Sequence, residues 1–93
     1  MEVMDNVSLK TSLKDGKYNL MCGLTKLGIG EGTADENGAS NSEFVEVKNG
    51  MLSKKDLLKS AEVYRQRSKL FNYTYIENVV FHKNGVVEYF AGS

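Results

Sequence analysis

The pair Asn84-Gly85 divides two runs rich in β-branched and aromatic residues, Tyr73 to Lys83 and Val86 to Ala91. Asn-Gly readily takes positive φ at both positions, as a two-residue type I′ turn between antiparallel strands requires. The C-terminal third is therefore expected to form a β-hairpin. Pairing across a two-residue turn predicts Tyr73, Tyr75, Val79, Phe81, Val86 and Phe90 on one face, with Ile76, Val80, Val87 and Tyr89 on the other. Both faces would then be substantially apolar.

A second hairpin is expected near the N-terminus. Val7, Leu9, Thr11 and Leu13 alternate with Ser8, Lys10 and Ser12, the pattern of a half-buried strand, and Asp15-Gly16 follows as a candidate I′ turn. Across that turn Leu13 faces Tyr18, Thr11 faces Leu20 and Leu9 faces Cys22, placing the apolar residues of both strands on one side. The second strand is expected over Lys17 to Leu27.

Residues 28–42 contain turn formers throughout and almost nothing to bury, which predicts a long flexible loop. Phe44 to Val47 alternates as a short third strand, ended by Asn49-Gly50. Ser53 is a good helix N-cap with Asp56 three positions on, and Leu52 can staple against Leu57. At 100° per residue, Leu57, Ala61, Tyr64, Ser68 and Phe71 form one stripe, which predicts a core-facing helix through about residue 70. The expected fold is a single α+β domain over residues 1–93. Its antiparallel sheet has about five strands, two β-hairpins plus the short strand, with one α-helix in the order β-β-β-α-β-β.

A chain of 93 residues buries only about 60 to 65% of the surface that its unfolded form exposes. One helix and one amphipathic hairpin cover one sheet face more easily than two. The second face is expected to be covered either by the N-terminal hairpin folding over as a second layer or by another subunit. Val79, Val80, Phe81 and Phe90 are the candidate residues of such an oligomer interface.

Composition excludes several alternatives. A single cysteine cannot form an internal disulfide, and a single histidine leaves no Cys/His cluster for structural zinc. Met1 to Asp5 lacks the basic region and apolar run of a signal peptide, and no apolar stretch approaches the roughly 20 residues needed to span a bilayer. A cytoplasmic, soluble protein without a membrane partner is expected.

No catalytic constellation emerges. His82 stands alone beside the Asn84-Gly85 turn, and a general base or metal ligand needs companions that hold its ring. Cys22 falls on an apolar face, away from the positive neighbours and solvent that make a thiol reactive. Gly28, Gly30 and Gly32 lack both the dinucleotide spacing and the Lys-Ser/Thr of a P-loop. Asp35-Glu36-Asn37-Gly38 fails the offsets of an EF-hand. No enzyme activity, cofactor or metal is expected.

Charge says more. The chain has 12 basic and 12 acidic residues, but residues 1–46 carry four lysines against eight acids and residues 47–93 reverse that ratio. Lys55, Lys59, Arg65 and Lys69 occupy the helix side away from the apolar stripe, with Glu62 among them as a local partner. Acidic residues 31–46 could lie over this face. The expected function is binding: a small regulator or inhibitor that docks on a larger protein and self-associates as a homodimer or small homo-oligomer through a sheet face. The alternative is a nucleic-acid, nucleotide or phosphorylated-ligand binder using the basic helix face, with Tyr73 and Tyr75 as aromatic contacts.

Overall fold

The computed structural model describes residues 1–23 and 44–92, excluding the side chain of Ser68. The whole expected loop, residues 28–42, lies outside them, as does the end of the expected second strand. The described residues form six strands, where about five were expected, and one helix: β1 (Glu2–Val3), β2 (Gly16–Gly23), β3 (Phe44–Lys48), β4 (Met51–Leu52), α1 (Lys54–Ser68), β5 (Tyr75–Phe81) and β6 (Val86–Gly92). The strands form one sheet in the order β1-β5-β6-β2-β3-β4. The α+β class is as expected, but the sheet is mixed: β1 runs parallel to β5 and β2 parallel to β6, while the other neighbours are antiparallel.

The N-terminal hairpin does not form. Residues 7–13 keep their alternation, with Val7, Leu9, Thr11 and Leu13 partly buried and Ser8, Lys10 and Ser12 exposed. They pair elsewhere, however, beyond the outer edge of β4. Lys10 bridges Met51, the Thr11 N–H donates to the Gly50 carbonyl at 2.9 Å, and the Leu52 N–H donates to the Leu9 carbonyl at 2.8 Å. The physical reason is competition for β2, whose two edges are taken by β3 and β6. The I′ turn sits instead at Asn49-Gly50, where φ is +54° and +75° between the paired residues Lys48 and Met51. The Asp15 carboxylate accepts from the Asn49 and Gly50 N–H groups at 3.0 and 3.4 Å. Asp15 thus steadies another hairpin's turn rather than making its own.

This N-terminal path also dictates curvature. The Met4 N–H is bonded to the Ile76 carbonyl beside β1, and Leu9 is bonded at the β4 edge. Five residue steps reach at most about 18 Å, whereas the edges of a flat six-stranded sheet lie roughly 24 Å apart. The sheet must therefore curl, and it does so as a half-barrel. Leu9 and Leu13 pack against the core, so the core lies on the inner side of the curl.

That core joins Leu20 and Cys22 of β2 to Val45, Val47, Leu52, Ile76, Val87 and Tyr89 of the neighbouring strands, and to Leu57, Ala61 and Tyr64 of α1. The helix begins where expected. The Ser53 hydroxyl accepts from the Asp56 N–H at 3.2 Å, and the Asp56 carboxylate accepts from the Glu46 N–H at 3.1 Å, tying the helix start to β3. It ends at Ser68, with Lys69 left-handed at φ +56° and the Leu70 N–H donating to the Arg65 carbonyl. Phe71, expected in the apolar stripe, lies past this stop and is 54% exposed.

The C-terminal hairpin forms at Asn84-Gly85 with a register one residue from expectation. The His82 N–H donates to the Val86 carbonyl at 2.9 Å and the Gly85 N–H to the His82 carbonyl at 3.0 Å, leaving a three-residue loop with Gly85 at φ +84°. Phe81 therefore pairs with Val87 and Val79 with Tyr89, and an irregularity between Ile76 and Asn78 brings Ile76 to the same face. Val79, Phe81, Ile76, Val87 and Tyr89 face inward. Val80, Val86 and Phe90 face outward, correcting the expected partition.

Ser53→Ala removes the cap acceptor and should lower stability by about 1 kcal/mol, read as an earlier midpoint in urea with an unchanged slope.

Candidate interaction surfaces

The outer sheet face is built by the register just described. Asn19 and Met21 of β2 oppose Val86 and Glu88 of β6, Gly23 opposes Phe90, and Val80 of β5 opposes Glu88. Phe44 of β3 stands beside Asn19 and is 58% exposed. The Phe90 ring lies over Gly23 so closely that a Cβ there would run into it. Gly23 is thus a seat for an aromatic ring.

Glu88 is the charged residue at the centre of this face, only 9% exposed. Its Oε1 lies 2.9 Å from His82 Nε2, while the His82 side chain is 43% exposed. A carboxylate so enclosed needs a hydrogen-bond partner, and the imidazole supplies it. Expectation placed His82 without a companion because a two-residue loop sends it and Glu88 to opposite faces. The three-residue loop brings both outward. Cys22 faces inward, so the sheet itself separates the thiol from the imidazole and no nucleophile-base pair arises.

Cys22 is buried, and desolvation pushes its thiol up to about 11, outweighing a hydrogen bond with Tyr89 that acts the other way. Burial likewise pushes the Tyr89 hydroxyl well above the usual tyrosine range. Both groups are neutral at pH 7, as a core requires. Beside them, Ala61, Tyr64, Leu70 and Tyr73 help line a cavity of about 10 Å³, the scale of a single water.

The basic helix face is only partly available. Lys55, Lys59 and Lys69 are exposed. Arg65 is committed elsewhere: its Nη2 donates to Glu62 at 2.8 Å and its Nη1 to the Phe71 carbonyl, and its guanidinium carbon lies 5.5 Å from the Phe71 ring centre. Gln66 also donates to Glu62, at 3.0 Å. The Arg65 and Gln66 hydrogen bonds hold the Glu62 carboxyl at about 2. Phe71, lost from the core, shelters this cluster. The acids of residues 31–43 lie outside the described residues.

Tyr73 and Tyr75 are not brought together with the lysines as one platform. Tyr73 is half-buried at the small cavity, while Tyr75 is 39% exposed in a separate groove beside β1. Among the described residues, no three His, Cys, Asp or Glu side chains gather as metal ligands, and no helix is long and apolar enough to cross a membrane. No protein-family model, curated protein or solved structure matches the chain.

Because the folded-state value of Glu62 is depressed, its contribution to stability is full above the unfolded value near 4.5 and is lost as pH falls toward 2. Glu62→Gln should therefore flatten the acid limb of a stability profile across that window, with the carboxyl of the native chain titrating near 2 by carbon-13 NMR. Cys22 has the opposite sign: stability should fall as pH rises above 9 toward 11. Native protein at pH 8 should react with an aromatic disulfide reagent at least about tenfold more slowly than urea-unfolded chain.

Proposed function

We propose that this chain is a small non-catalytic interaction protein, a regulator or inhibitor that docks on a larger protein and self-associates, using the outer face of its sheet. One observation carries the reading: α1 and residues 7–13 cover the inner face, whereas Phe44, Met21, Val80, Val86 and Phe90 collect on the outer one. Contiguous apolar surface of this kind gains free energy when a complementary surface removes it from water. The His82–Glu88 pair at its centre adds direction, since a partner that buries the pair must also satisfy its hydrogen bonds. Of the four residues considered for an interface, Val80 and Phe90 serve this reading. Val79 and Phe81 pack against the core.

The second reading, a phosphate-bearing ligand on α1, draws support from the exposed Lys55, Lys59 and Lys69. It is weakened by Arg65, whose fork is occupied by Glu62.

The native mass by size-exclusion chromatography with light scattering tests the choice. A mass above one chain with a protein-like 260/280 nm ratio is expected, returning to that of a single chain in Val80→Lys without a lower unfolding midpoint. Val79→Lys, which places a charge on the inner face, should unfold the subunit instead. An oligomer unmoved by Val80→Lys would remove the outer face as its contact, and a raised 260/280 nm ratio abolished by Lys59→Glu would favour the phosphate reading.

A further inference from the structure

The sheet has one edge whose surroundings suggest an occupant. At the β4 edge the chain itself supplies Leu9 to Thr11 as a partner. At the other end β1 is the last strand, and among the described residues nothing pairs with its outer side. The Glu2 and Met4 N–H groups both point to β5, bonding the Thr74 and Ile76 carbonyls at 3.0 and 3.1 Å. Strand alternation therefore turns the N–H and C=O of Val3 outward. Beside them lies an open groove of about 430 Å³ lined by residues 2–6 and Tyr75.

The groove has a chemical character. Met4 and Tyr75 are exposed apolar side chains, and Glu2 and Asp5 are exposed carboxylates. Among the described residues, no basic side chain lines it. An extended segment lying along β1 would meet a donor and an acceptor from Val3, apolar contacts from Met4 and Tyr75, and negative charge at each end. We propose that the β1 edge receives an extended basic peptide segment of a protein partner as an added strand, with Lys or Arg alternating with apolar residues. Main-chain hydrogen bonds would hold the segment and the two carboxylates would select its charge. The proposal uses the β1 margin and none of Phe44, Met21, Val80, Val86 or Phe90, so either reading could fail without the other.

The test is nitrogen-15 NMR of the full chain titrated with an acetylated, amidated octapeptide of alternating Lys and Val, and with its Glu-Val counterpart. The Lys-Val peptide should shift the amides of Val3 to Asn6 and slow hydrogen exchange at Val3, with a Kd below about 1 mM. The Glu-Val peptide should do neither. The double variant Glu2→Lys, Asp5→Lys changes only exposed side chains and should bind the Lys-Val peptide at least about tenfold more weakly, equivalent to about 1.4 kcal/mol, while keeping the native spectrum elsewhere. The proposal is overturned if Val3 to Asn6 do not respond, if the charge-reversed variant binds equally well, or if shifts at these residues depend on protein concentration alone. That last result would make a second copy of the chain the occupant.

Discussion

The parallel pairing of β2 with β6 is the constraint on which the rest depends. It brings the N-terminal and C-terminal parts of the chain into one ladder, sets Leu20 beside Val87 and Cys22 beside Tyr89, and leaves the other edge of β2 to β3. Once both edges are occupied, residues 7–13 cannot pair with β2. Their half-apolar pattern is used at β4 instead, where Leu9 and Leu13 close over the core. Curvature, the placing of the helix and the division of the sheet into an inner face that α1 and residues 7–13 cover and an outer face that they do not all follow. Contacts joining such distant parts of a chain carry a large loop-closure cost, which places this topology among slower-folding domains.

Local chemistry was legible wherever it could be decided by neighbours. Ser53, Asp56 and the Leu57–Ala61–Tyr64 stripe specify the helix and the face that it buries, and Asn84-Gly85 marks a turn that does form. Partner choice was not legible. An alternating strand such as 7–13 states that one side will be buried, but it does not state against which strand, because that depends on competition among all the edges at once. Asp15 illustrates the limit: Asp-Gly suits a turn by its own preference, yet the carboxylate is spent on the amides of Asn49 and Gly50.

The candidate surfaces divide along the same line. Exposure of Lys55 and Lys59 follows from helical periodicity alone. The Glu62–Arg65 pair was legible too, as neighbours three apart on a helix, whereas the contacts of Arg65 with Phe71 were not, since they depend on the helix stopping at Ser68. A single loop residue decides the His82–Glu88 pair. Adding Lys83 to the Asn84-Gly85 turn shifts the register by one and brings both groups to one face. Small errors in turn length therefore become whole-face errors in a sheet, because side chains alternate with a period of two.

The chain between Met4 and Leu9 links one edge of the sheet to the other, and this makes the two margins a single cooperative unit. Local opening of that short segment would withdraw backbone partners from β4 and β5 together, uncovering hydrogen-bonding groups at both ends and the apolar side chains beneath Leu9 and Leu13. A fluctuation of this kind is a sub-global unfolding event rather than fraying. Such an opening would expose the described residues at both margins to proteolysis and to edge-to-edge aggregation.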